Sequence, residues 1–135
     1  MGAWGTGSFE NDGAGDWVVE FSDDPGMDEV IDALSTVAEA DEDEYLETPE
    51  CGAAITAAEV VAALNKQPHA ELPEDISDWV KVQTALPDEE LVALALSAIE
   101  RVKANSEMQE LWEESEHYEQ WQAAIGDLER RLKAQ

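Results

Sequence analysis

No lysine or arginine occurs before Lys66, while 17 aspartates and glutamates do. Over the whole chain 33 acidic residues face 7 basic ones, a net charge of −26 at pH 7. Nucleic-acid phosphates and anionic bilayers are held by basic patches, so neither is expected as a direct partner. Cysteine is almost as scarce. Cys51 stands alone, which rules out an intramolecular disulfide and a cysteine-rich zinc centre. The two histidines, His69 and His117, are far apart and lack any metal-ligand spacing. A basic-then-apolar leader is missing, and no apolar run nears the roughly 20 residues needed to span a bilayer. The cytoplasm is the expected location.

What is present is a chain able to fold. Hydrophobic residues make up 44% of its 135 positions, enough for one buried core and one domain over residues 1–135. The patterning is helical nearly throughout. Asn11 is placed to cap a first helix, with Ala14, Trp17, Val18 and Phe21 on one face. Met27, Val30, Ile31, Leu34, Val37 and Ala38 form the apolar stripe of a second, the clearest amphipathic segment. Thr48-Pro49-Glu50 is a strong helix start. Between Cys51 and Leu64, Glu59 is the single charged residue, which marks the helix over 49–64 as the central, buried one.

Further along, a short helix is expected over 74–84 and another over 88–105, the latter with acids at its start and Arg101 and Lys103 at its end. Ser106 to Gln109 reads as a capping box. The apolar steps from Met108 to Leu132 then fit one long helix, or two broken near Ser115-Glu116-His117. The expectation is an all-α fold: a compact orthogonal bundle of about six helices with a glycine-rich N-terminal arm.

That arm, Gly2-x-Trp4-Gly5-x-Gly7-x-Phe9-x-Asn11-Asp12-x-Ala14-x-Asp16-Trp17, resembles the N-terminal signature of an uncharacterised family of small, mostly bacterial proteins, a domain of unknown function. Tyr45-Leu46-x-x-Pro49-Glu50 with Ala57 to Ala63 is similar to the family's middle block. Glu107-Met108-x-x-Leu111-Trp112 and the later Trp121 resemble its C-terminal block. The resemblance implies no activity and no catalytic residues.

The glycines of the arm suggest an anion-binding nest, but Glu10, Asp12 and Asp16 beside them would repel a phosphate. Packing of Trp4 and Phe9 onto the core is the plainer reading. Asp12, Asp16 and Glu20 share one helix face; with Asn11 they could offer oxygen ligands to Mg²⁺ or Ca²⁺, although such a spacing is also an ordinary solvated face. Glu59 has no cation within one helical turn, so if buried it must be paired across helices or neutralised. Tyr45 and Glu50 lie just upstream and could share a pocket with it. Cys51 sits in the first turn of its helix, where the dipole favours a thiolate and nearby carboxylates oppose it; no convincing histidine base accompanies it. The candidate cluster is therefore Trp4, Asn11, Asp12, Asp16, Trp17, Tyr45, Glu50 and Glu59, with no cofactor, no metal centre and no catalytic residue assigned.

Two functions follow as expectations. The first is a non-enzymatic module that presents its acidic surface to a basic protein partner, in the style of an immunity protein or a DNA mimic. The second is a small metal-dependent or carboxylate-based enzyme that uses Glu50 and Glu59 beneath the acidic arm. Solubility alone, or adaptation to salt, is the plainest account of the charge.

Overall fold

In so acidic a protein, a helix with one charge in its interior has one stable place, the middle. The computed structural model describes residues 7–84 and 86–134. Among these residues are seven helices and no strand: α1 (Asp12–Asp23), α2 (Met27–Ala38), α3 (Thr48–Leu64), α4 (Glu74–Lys81), α5 (Glu89–Ala104), α6 (Glu107–Glu113) and α7 (Tyr118–Lys133). The fold is all-α, as expected. The seventh helix arises because the C-terminal apolar run is broken between α6 and α7, at Glu114 to His117.

α3 touches all six other helices, and 14 of its 17 residues are buried. Its alanines and valines supply a surface that is apolar all round, which a helix shows only when enclosed. Every helix contributes to the one core around it, from Trp17 and Phe21 of α1 to Ile125, Leu128 and Leu132 of α7. Trp17 stacks on Phe21 with ring centroids 5.0 Å apart, and Phe21 meets the edge of Trp79 on α4 at 5.2 Å.

The ends of the helices are set by local chemistry. Asn11 caps α1 by accepting the Ala14 amide at 2.8 Å, Asp88 caps α5 through the Leu91 amide at 2.8 Å, and Ser106 caps α6 through the Gln109 amide at 3.1 Å. For α3 the cap is Glu47 rather than Thr48, reciprocated by the Glu50 side chain, with Thr48 and Pro49 already inside the helix. Thr48 instead gives both its amide and its hydroxyl to Glu107 of α6, each at 2.8 Å. α3 ends in a left-handed turn at Lys66, φ 67°. There the Gln67 amide returns to the Ala62 carbonyl at 2.9 Å and the Lys66 amide to Ala63 at 3.0 Å. Lysine thus occupies a position glycine usually takes.

The α2 stripe is only half buried. Val30, Leu34 and Val37 are enclosed, while Ile31 is 40% exposed, because α2 lies against α3 and α5 along one edge and leaves the Ile31 edge open. α4 is also shorter than expected, ending at Lys81. No helix among the described residues is long and apolar enough to cross a membrane.

α1 and α3 cross at two glycines. A Cβ on Gly13 would lie 2.6 Å from the Pro49 carbonyl oxygen. A Cβ on Gly52 would overlap the Asn11 side-chain oxygen and come within 3.0 Å of the Ala14 amide nitrogen. Gly52→Ala therefore removes the α1 cap and overpacks the crossing together. It is expected to cost about 2–4 kcal/mol in urea unfolding; a loss below roughly 0.5 kcal/mol would mean that the helices do not approach so closely.

Candidate functional site

Glu59 is fully buried at the centre of α3 and is paired across helices. Arg131 of α7 binds it with both terminal nitrogens, Nη1 to Oε1 at 2.7 Å and Nη2 to Oε2 at 3.0 Å. Such a two-pronged contact is the strongest way a carboxylate is met inside a protein. The Ser8 hydroxyl donates to Glu59 Oε2 at 2.6 Å, and Arg131 gives further bonds to Asp127 at 2.8 Å and to the Gln67 carbonyl at 3.2 Å. Burial alone would make Arg131 lose its proton more readily, but the bonds and charges of Glu59 and Asp127 outweigh it and hold the guanidinium above its ordinary pKa. Burial likewise pulls Asp127 upward, and Arg131 with Arg130 outweighs it, so that Asp127 ends below its ordinary value.

The described part of the N-terminal arm therefore does reach Glu59, through Ser8. Ser8 seals the ion pair, and Phe9 lies edge-on to His69 at 5.1 Å, fixing the arm to the connector after α3. The seal leaves Glu59 without any exposed surface. Glu50 is elsewhere: nine residues of helix separate the two, about 13.5 Å of rise.

The other candidates do not form one cluster. Trp4 lies outside the described residues. Asn11 is buried as a cap, and Asp12 and Asp16 are exposed on α1. Tyr45 is exposed before α3 and donates to Glu110 at 3.2 Å. Trp17 and Glu50 do come together. They line a furrow of about 350 Å³ between α1, α2 and the start of α3, together with the carboxylates of Glu20, Glu29 and Asp32 and the apolar Ala33, Pro49 and Ala53.

The furrow exists because α1 and α2 both pack on α3 rather than on each other. The carboxylates on their facing edges repel, and the buried indole of Trp17 lines the base. Among the described residues none of Glu20, Glu29, Asp32 and Glu50 makes an ion pair. No three acidic, histidine or cysteine side chains converge closely enough among the described residues to hold a metal ion. Carboxylates spread round an apolar floor suit a large, diffuse cation, such as a guanidinium or alkylammonium chain, better than a metal.

Cys51 is buried, and burial pushes its thiol up to about 11 although the Ser106 hydroxyl and the Met108 backbone beside it act the other way. A thiol so placed is a packing group, not a nucleophile.

Reading the sequence missed Ser8, Gln67, Asp127 and Arg131. One signal was available: Arg131 falls between Leu128 and Leu132 on the apolar stripe of α7, where a charge needs a buried partner. Glu59 is the one interior charge on α3 that could supply it.

A family model described as "Domain of unknown function (DUF4259)" matches residues 2–124. Ser8, Glu59 and the whole acidic furrow lie inside the match, whereas Asp127 and Arg131 follow it. No curated protein and no solved structure matches the chain.

The bonds between Glu107 and Thr48 make an acid-sensitive joint. The Thr48 amide and hydroxyl hold Glu107 below its ordinary value, more than desolvation raises it. A depressed folded pKa stabilises the fold above the ordinary glutamate range, and the benefit vanishes as pH falls through the folded value. Acidification also relieves the repulsion within the −26 charge, so the informative quantity is the difference between the wild type and Glu107→Gln. That difference in unfolding free energy should be largest near neutrality and should close below about pH 4. A difference independent of pH would show that the ionised carboxylate does not carry the joint.

Proposed function

This chain belongs to the DUF4259 family, a domain of unknown function, and from that premise we propose that it is a non-enzymatic module that binds a basic protein partner. The observation that carries the reading is where the positive charge goes. Arg131 is consumed by Glu59 and Asp127, Arg130 by Asp127, and Lys103 by Glu129. Arg101 is spent on the carbonyls of Ala40, Glu44 and Asn105. Six of the seven cations lie after residue 67, where they offset part of the 16 carboxylates there, and Arg101 ties down the acidic loop after α2. Among the described residues, the carboxylates around the Trp17 furrow on the α1–α2 side stay unpaired.

A surface of one sign with an apolar floor speeds encounter with an opposite charge and gives it a place to settle. Engagement of a basic protein, in the manner of an immunity protein or a DNA mimic, is the use this distribution favours. The enzymatic alternative needs Glu50 and Glu59 in a common pocket. Their separation along α3 and the sealing of Glu59 by Arg131 and Ser8 lend it no support.

The immobilised protein should retain a basic protein from a cell extract at low ionic strength, and the purified pair should weaken steeply as NaCl is added. Reversing two furrow charges together, Glu20→Lys and Asp32→Lys, should weaken the pair by about tenfold or more, while Glu119→Lys on α7 should change it little. Binding indifferent to salt, or equally sensitive to all three reversals, would contradict the reading.

A further inference from the structure

α2 is a ridge between two depressions. On one side lies the acidic furrow. On the other, α2 presents Met27, Ile31, Ser35 and Glu39 at four-residue steps to a second groove of about 720 Å³. Its far wall is Leu91 and Leu94 of α5, with Leu86 projecting from the preceding connector. Four-residue steps on a helix form one ridge, inclined about 26° to the axis, and from Met27 to Glu39 that ridge climbs about 18 Å along α2. Ile31 is 40% exposed and Leu86 61% exposed, both well above what a sealed core allows. The rim is acidic, with Glu39 at the end of α2 and Asp88 and Glu90 at the start of α5.

We infer that this groove docks an amphipathic helix of a basic partner, its apolar face on Ile31, Leu91 and Leu94 and its lysines or arginines against Glu39, Asp88 and Glu90. The inference rests on the basic-partner reading and adds to it the partner's shape. Length selects a helix: a trough of about 18 Å accommodates roughly three turns, which places anchors at i, i+4 and i+7 along the floor. Charge selects the sign. Every ionisable group on the rim is a carboxylate, so an acidic helix would meet like charge at both ends.

A second copy of this chain is a poor occupant. Its one cation-rich helix, α7, already buries Trp121, Ile125, Leu128 and Leu132 in its own core, and two chains of charge −26 repel.

The test uses the full chain and a synthetic amphipathic helix of leucine and lysine, about 18 residues long so as to exceed the groove by nearly two turns. Two controls accompany it: a scrambled peptide of identical composition, and a leucine–glutamate helix of the same pattern. Amide shift mapping on isotope-labelled protein should place the leucine–lysine helix against α2 and the start of α5. Its affinity by fluorescence anisotropy should exceed that of either control by about tenfold or more. Ile31→Lys should abolish that preference, and the milder Ile31→Ser should reduce it, with melting temperatures reporting that both variants fold.

Equal binding of the scrambled peptide would overturn the inference, because charge alone would then suffice. Equal binding of the leucine–glutamate helix would overturn its sign. Shifts confined to the α1–α2 furrow would remove the groove as a docking site while leaving the basic-partner reading standing.

Discussion

A carboxylate buried at the centre of the central helix is the constraint on which the rest of this structure depends. Removing an ion such as that of Glu59 from water costs several kcal/mol, and only excellent geometry returns it. The fold returns it with a two-pronged guanidinium, a serine hydroxyl and nothing exposed. Those partners come from opposite ends of the chain, 51 and 72 residues away from Glu59. The pair therefore fixes where Ser8 lies and how α7 is turned. A hydrophobic substitute could fill the same volume, but any apolar helix could dock on it in several registers. The Glu59–Arg131 pair accepts one.

The same economy of cations shapes the surface. With 7 basic residues against 33 acidic ones, each cation placed inside the fold is withheld from the exterior. Arg101 illustrates the choice. It reaches the carbonyl oxygens of Ala40 at 2.9 Å and Glu44 at 2.7 Å, holding the backbone of the acidic loop rather than cancelling its side chains. Asn105 adds a bond to the Glu42 carbonyl at 3.2 Å. The loop is ordered and stays negative. The buried ion pair and the acidic exterior are thus linked, since the guanidinium that satisfies Glu59 leaves the α1–α2 side uncompensated.

Much of this was legible in the residues themselves. The near-absence of charge between Cys51 and Leu64, Glu59 excepted, located the central helix, because a helix nearly free of charge in a strongly acidic chain has to be enclosed. Asn11 announced the start of α1, since its short side chain accepts an amide that would otherwise be unpaired. Other features depend on tertiary arrangement, which periodicity does not encode. Ile31 belongs to the apolar stripe of α2 by spacing, yet is left open because α3 and α5 cover the neighbouring edge. Glu50 and Glu59 are close in sequence but face different surroundings more than two helical turns apart. Arg131 stands in the last turn of α7, where a cation ordinarily complements the helix dipole from the surface. Only the crossing of α7 over the end of α3 turned it inward. The furrow is of the same kind, because Glu29 and Asp32 joined Trp17 and Glu50 through packing alone.

The dependence of the fold on its buried pair is open to a direct thermodynamic measurement, a double-mutant cycle on Glu59 and Arg131 followed by urea unfolding. Glu59→Leu and Arg131→Met should each cost about 3–5 kcal/mol, because each strands a buried charge. The double variant should cost much less than their sum, leaving a coupling of roughly 2 kcal/mol or more. Strictly additive losses, or a Glu59→Leu protein as stable as the wild type, would contradict the account.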